Sequence, residues 1–199
     1  MRNPLARRVT GSSVRRFTPA DYRVMPWKNG GGTTTELHVE PGSGPPFLWR
    51  VSIADVAVDG PFSIFTGYDR HIMAIDGSGM VLVGAPGGPI EVNPKFIPRS
   101  FSGDWPIISR LISGPVRDFN LMSRRESVES NLGCSEISTP SQLGDAGAVT
   151  FAYLLGGELD ANGQLLVAGE SLLLMPGEVI LVKPVCSSRL AVCRIKQLD

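Results

Sequence analysis

Ala168-Gly169-Glu170-Ser171-Leu172-Leu173-Leu174-Met175-Pro176-Gly177-Glu178 is the stretch on which the reading of the fold turns. A glycine lets the chain reverse, a short apolar run follows, and Pro176-Gly177 turns the chain again before any helix can establish itself. Residues 151–155, the Gly156-Gly157 turn and Leu165-Leu166-Val167 precede it, and residues 179–183 and 189–195 follow. The spacing predicts a run of hairpins.

The same punctuation runs through the chain. With 23 glycines and 16 prolines in 199 residues, turn signals recur every few positions and the intervals are short and β-branched or aromatic. No segment carries a helical stripe of useful length, so the fold class is all-β, a sandwich or barrel. Residues 33–40 alternate, with Thr34, Glu36 and His38 expected on one face and Thr35, Leu37 and Val39 on the other. Residues 47–58 place Trp49, Val51 and Ile53 on a bulky face and Arg50, Ser52 and Ala54 on a small or charged one. Such a strand borders solvent or lines a polar cavity. Further short strands are expected at 62–65, 70–75, 80–83, around Glu91 and at 107–112. Residues 99–106 read as an ordered loop, and residues 125–147 as a connecting region with one more strand.

A hydrophobic content of 42% in a chain of this length supports one good core or two small fused ones. The 19 basic and 19 acidic residues balance, so nothing draws the molecule as a whole to nucleic acid or an anionic membrane. Cys134, Cys186 and Cys193 form no C-x-x-C pair and cannot all pair within one chain, which fits reduced thiols and a cytoplasmic location. Residues 1–16 carry five arginines but no apolar signal core, and read as a flexible leader. No apolar run approaches the roughly 20 residues of a membrane helix.

One stretch has a composition that packing alone does not ask for: Met25-Pro26-Trp27-Lys28-Asn29-Gly30-Gly31-Gly32-Thr33-Thr34-Thr35-Glu36. Consecutive glycines strip an arc of backbone of every Cβ, exposing N–H groups to an anion or carbonyl, and Lys28 and Asn29 add a charge and an amide. The bland alternative is a glycine turn between strands with Trp27 capping the core. The stretch has neither the lysine-serine/threonine ending of a phosphate loop nor a dinucleotide fingerprint.

Residues 68–79 with 98–105, and 151–157 with 169–178, share a plan of strand, glycine hairpin and glycine- or proline-marked return, which resembles the repeat of cupin barrels. Ala168 to Glu178 is similar to a cupin's second motif. Together with Met25 to Gly32, Trp49-Arg50-Val51-Ser52-Ile53-Ala54, Asp59-Gly60-Pro61-Phe62-Ser63 and Asp118-Phe119-Asn120-Leu121-Met122, it makes the chain resemble the HutD/Ves family from about residue 17 onward. The resemblance implies a bicupin, two cupin-like β-barrel halves formed by one chain, divided at about 17–125 and 126–199 with room for strand exchange. It also implies a small bacterial cytosolic protein, one branch of which accompanies histidine-utilisation genes and is suggested to act by binding a pathway metabolite.

Cupin enzymes commonly hold iron, manganese or zinc through histidines and a carboxylate, but this chain has only His38 and His71, on different expected strands. No metal and no other cofactor is therefore expected. Ser63, Ser78 and Ser102 have no recognisable base, and Glu36, Asp69, Asp104 and Asp118 read first as turn or salt-bridge carboxylates. What remains suits a small polar or carboxylate metabolite. Lys28, Arg50 and Arg70 supply charge; Asn29, Thr35, Ser52 and Asn120 fix orientation; Gly30, Gly31 and Glu36 complete the loop; Trp27, Phe62, Phe65 and Met122 form an apolar wall. The competing view of the arginines is that they pair with Glu36 and Asp69 and staple the barrel. Binding is thus the first reading. A metal-free isomerase or lyase using Glu36 or an aspartate as general base is the alternative, and a homodimeric interaction module a third.

Overall fold

The computed structural model describes residues 7–8, 13–42, 44 and 46–198. A single 3-10 turn at Pro19–Asp21 is the one helical element among them; the rest is strand and turn. The chain divides into two compact units, one from residues 23–129 and the other from the N-terminal segment up to residue 22 together with residues 130–197. No described helix is long and apolar enough to cross a membrane.

Two short strands, β1 (Arg7–Arg8) and β2 (Arg15–Phe17), come first. The 23–129 unit then contributes β3 (Arg23–Pro26), β4 (Gly32–Glu40), β5 (Trp49–Val56), β6 (Gly60–Pro61), β7 (Tyr68–Asp76), β8 (Met80–Val83), β9 (Ile90–Val92), β10 (Arg99–Ser102), β11 (Ile108–Leu111) and β12 (Val116–Arg124). These form a six-stranded sheet in the order β10-β7-β12-β5-β4-β3 and a four-stranded sheet in the order β6-β11-β8-β9. Ala54, Val56, Ile72, Ala74 and Val116 from the first sheet meet Met80, Leu82 and Val92 from the second in one apolar core. Residues 99–106, expected as a loop, contain β10, which pairs with β7 from Arg99↔Ile72 to Ser102↔Asp69. Residues 62–65, expected as a strand, are irregular, because the pairing with β11 ends at Pro61.

The other unit adds β13 (Val128–Ile137), β14 (Ser141–Gly144), β15 (Val149–Gly156), β16 (Glu158–Ala161), β17 (Gln164–Val167), β18 (Ser171–Leu174), β19 (Val179–Pro184) and β20 (Ser188–Gln197). Its sheets run β1-β2-β18-β15-β20-β13 and β14-β19-β16-β17, around a core that includes Leu154, Leu159, Leu172, Leu174, Ile180 and Leu190. Residues 125–147 therefore hold two strands, β13 and β14; β13 has an irregular burial pattern that alternation does not mark. Arg15 and Arg16, expected in a leader, are paired strand residues opposite Leu173 and Leu172. Arg16 is ion-paired to the buried Glu170 at 2.5 Å, and Glu170 also accepts the Val167 N–H at 3.0 Å. Apart from the backbone of β1, residues 1–12 of that expected leader lie outside the described residues.

Candidate ligand-binding site

Strand register assembles the site. In the six-stranded sheet Met122 lies between Arg50 and Arg70, Asn120 between Ser52 and Ile72, and Asp118 between Ala54 and Ala74. Residues two apart on a strand share a face, so these three rows look into one space. Ala54 is too small to fill it beside Asp118. The result is a cavity of about 520 Å³ in the 23–129 unit, a volume typical of small-molecule sites.

Its floor is charged and buried. Arg70, 7% exposed, lays its guanidinium between the rings of Phe62 and Phe101, at 4.9 and 5.0 Å, and donates to the Ser63 carbonyl at 3.3 Å. Arg50 lies over Phe47 and Phe65, at 5.1 and 5.5 Å, with one amino group 3.3 Å from the Met122 sulfur. Aromatic faces attract such cations without neutralising them. Burial lowers the pKa of Arg70 to about 10, with Asp118 opposing the shift and Arg50 adding to it; burial lowers that of Arg50 as well, against the pull of Glu36. Both remain cations at neutral pH.

Asp118 is fully buried, and burial raises its carboxyl to about 7 despite the hydrogen bond from Asn120 and the charge of Arg70. Four floor atoms lack a hydrogen-bond partner: Nε of Arg50, Nε of Arg70, Oδ2 of Asp118 and Oδ1 of Asn120. Buried polar atoms are normally satisfied, so this concentration of unpartnered donors and acceptors in one hollow is unusual.

The rim comes from the β3–β4 hairpin. Trp27 N–H donates to the Gly32 carbonyl at 3.0 Å and Gly30 N–H to the Trp27 carbonyl at 3.0 Å, while Asn29 Oδ1 accepts the Gly31 N–H at 3.0 Å. Gly30 takes the left-handed conformation at φ 69°. The Trp27 indole N–H donates to Thr34 Oγ1 at 2.8 Å, which fixes the ring as a wall. A Cβ on Gly32 would stand 2.2 Å from the Asp55 carbonyl and 3.1 Å from that ring. The glycines thus close a tight hairpin under an indole, and the Asn29 amide oxygen is spent on the turn.

Of the residues singled out from sequence, Trp27, Lys28, Asn29, Gly31, Arg50, Ser52, Arg70 and Asn120 line the cavity. Met122 lies in the row between the arginines, Gly30 shapes the turn, and Glu36 pairs with Ser52 and acts on Arg50 through its charge; none of these three is a lining residue. Thr35 pairs with Ile53 on the opposite face, and its neighbour Thr34 lines the cavity instead. The expected face shared by Glu36 and His38 is broken by a bulge at Leu37, which turns His38 to the side of Val51, where it stacks on Trp49 at 4.7 Å. Neither arginine forms an ion pair among the described residues. Asp69 is engaged by Arg125 at 2.7 Å, so the expected Arg70–Asp69 staple is not there. Asp118, expected as a turn or salt-bridge carboxylate, lines the cavity instead; its place two residues before Asn120, on the same strand face, is the signal that finds it.

No described group of three or more histidine, cysteine or carboxylate side chains has metal-binding geometry. His71 bonds Ser100 at 2.7 Å on the face away from the cavity.

An all-β chain of this organisation has the cupin fold, and it superposes with a TM-score of 0.66 on an oxalate decarboxylase from Lactobacillus farciminis, covering 96% of this chain and 87% of that one at 8% identity, a likeness of fold alone. The protein belongs to the HutD family, which its sequence matches over residues 19–191. It is 42% identical over 114 residues to an uncharacterized 21.2 kDa protein in the hutC 3′ region of Pseudomonas putida, a match covering 56% of this chain and 58% of that protein's length. It is 33% identical over 151 residues to protein Ves of Cronobacter sakazakii, covering 73% and 80%. The structure of HutD from Pseudomonas fluorescens SBW25 in a formate condition aligns with a TM-score of 0.80 and 31% identity, over 94% of this chain and all of that one.

Proposed function

We propose that this chain is a regulatory bicupin that binds a small carboxylate metabolite in the cavity of its 23–129 unit, in the setting of histidine utilisation. The observation that carries the binding reading is the pair of guanidiniums, Arg50 and Arg70, held on aromatic rings in one cavity with no acidic partner within ion-pair distance. A guanidinium presents parallel N–H donors that match a carboxylate, and a cation kept from water gains most from an anionic guest. Trp27 supplies a flat wall for an unsaturated or aliphatic body. The metabolic setting is supported by the HutD family and by the hutC-region relative.

Calorimetry with formate, urocanate and formylglutamate tests it, on the wild type and on Lys28→Ala, Arg50→Ala and Arg70→Ala. Binding weakened at least about tenfold by each arginine change is expected. Affinity indifferent to Lys28→Ala and Arg50→Ala would remove the pocket assignment.

A second reading, a metal-free isomerase or lyase, is favoured by one observation: the Asp118 carboxyl lines the cavity and burial raises it to about 7, where it is poised to exchange a proton near neutrality. Turnover of a carboxylate substrate, abolished in a folded Asp118→Asn variant, would establish it over binding alone.

A further inference from the structure

We infer that the cavity takes up its anion together with one proton, which Asp118 holds while the site is occupied. The inference rests on the reading of this cavity as a carboxylate site and says how that site is regulated.

The geometry is specific. Asn120 donates through Nδ2 to Oδ1 of Asp118, and that leaves Oδ2 as the free edge of a fully buried carboxyl. Ala54, the small cross-strand neighbour on β5, lines the cavity beside Asp118, and Arg70 enters the same cavity. An anion seated on the guanidiniums therefore shares a low-dielectric hollow with Asp118. Two carboxylates cannot both stay ionised at such range without large repulsion, and the buried one takes the proton. In its acid form Asp118 turns an acceptor into an O–H donor aimed at the guest, and two guanidiniums face a single negative charge.

The charged groups around Asp118 leave it as the group that titrates. Arg70 on β7 and Arg50 on β5 remain cations. Lys28 reaches the cavity from the hairpin, Glu36 from β4 acts on Arg50, and Asp55 on β5 lies on the exposed side and raises Asp118 further. Asp59, at the rim, is held below the ordinary carboxylate range by the Leu111 N–H and by Arg110. Neither histidine lines the cavity. The free carboxyl sits near 7, so the proton needed is available on the acid side of neutrality and scarce above it.

Formate is the probe, since it stays ionised throughout the range. Titration of the full chain from about pH 5.5 to 8.5 at constant ionic strength, with chloride as the control, should give a flat affinity at the acid end. Above about pH 7 the affinity should fall about tenfold per pH unit. Calorimetry in two buffers of different ionisation heat should show proton uptake rising toward one per formate in that upper range. Asp118→Asn, neutral at every pH, should bind with an affinity that no longer varies with pH. If that variant does not fold, the two-buffer measurement on the wild type decides alone. Formate binding that is equally tight at both ends of the range, without buffer-dependent heat, would overturn this inference and leave the carboxylate site standing, as would an Asp118→Asn variant that keeps the pH dependence. Absence of binding at every pH would overturn both.

Discussion

Arg50 and Arg70 stand on either side of Met122 in a single cross-strand row, each guanidinium laid on two aromatic rings. Met122 keeps the two cations apart without offering either a charge. Such an arrangement keeps two cations without an ion pair among the described residues of a β-unit, at the expense of stability.

That trade is measurable. Arg70→Met removes a buried cation and fills its place with an apolar side chain of similar length. The free protein should be as stable as the wild type or about 1 kcal/mol more stable, a rise in thermal midpoint of about 2–4 °C. Formate binding should be lost. Arg70→Lys keeps the charge but not the planar stack on Phe62 and Phe101, and should recover only part of the affinity.

Trp27→Phe deletes the indole N–H that fixes the ring to Thr34 at 2.8 Å. A loss of about 1 kcal/mol in unfolding free energy is expected in urea titrations. A weaker quench of intrinsic fluorescence on ligand addition than in the wild type would show that this ring faces the guest.

The hairpin glycines differ in what they tolerate. Gly32→Ala drives a Cβ to 2.2 Å from the Asp55 carbonyl, so the chain must shift at the β4–β5 pairing. A destabilisation of about 2 kcal/mol or more is expected. At Gly30 a Cβ meets nothing within 4 Å and only the φ of 69° opposes alanine, at about 1 kcal/mol. Paired denaturation curves give the ranking.

Two carboxylates pull stability in opposite directions with pH. The folded pKa of Asp118 is raised from 3.8 to about 7, so its contribution is fully present below pH 4 and is lost as pH rises through 7. Asp104 is lowered to about 2 by the Ser102 hydroxyl, the Gly67 N–H and Arg125; its contribution is present above pH 4 and lost as pH falls through 2. Asp118→Asn should therefore be more stable than the wild type at pH 8 and lose the slope between pH 4 and 7. Asp104→Asn should be destabilised at neutral pH and match the wild type at the acid extreme. Denaturant midpoints across the range check both.

Glu170→Ala leaves Arg16 and the Val167 N–H without their carboxylate. About 2–3 kcal/mol of destabilisation is expected. The double variant Arg16→Met, Glu170→Leu should regain most of it, and a double-mutant cycle in urea measures the coupling.

The sequence made much of this visible because β5 is plain. Arg50, Ser52 and Ala54 alternate with Trp49, Val51 and Ile53, and that polar column does line a cavity. Arg50, Ser52, Arg70, Asn120 and Met122 stand out by residue type, but that they share rows does not, since register between strands far apart in the chain leaves no local trace. Leu37 shows another limit: one extra residue in β4 reverses the face of His38, and nothing in Thr35-Glu36-Leu37-His38 announces it. Asp118 is not legible because a carboxylate between two alanines looks like any carboxylate until its cross-strand neighbours are known. β10 is not legible either, because Arg99-Ser100-Phe101-Ser102 is too short and mixed to declare a strand.

The pairing of Arg16 with Glu170 spans 154 positions. On the ribosome, β2 emerges long before β18 exists to receive it, whereas every strand of the 23–129 unit has its partners within that segment. The central unit can thus mature while synthesis continues, and β2 must wait for its β18 edge until the last third of the polypeptide arrives.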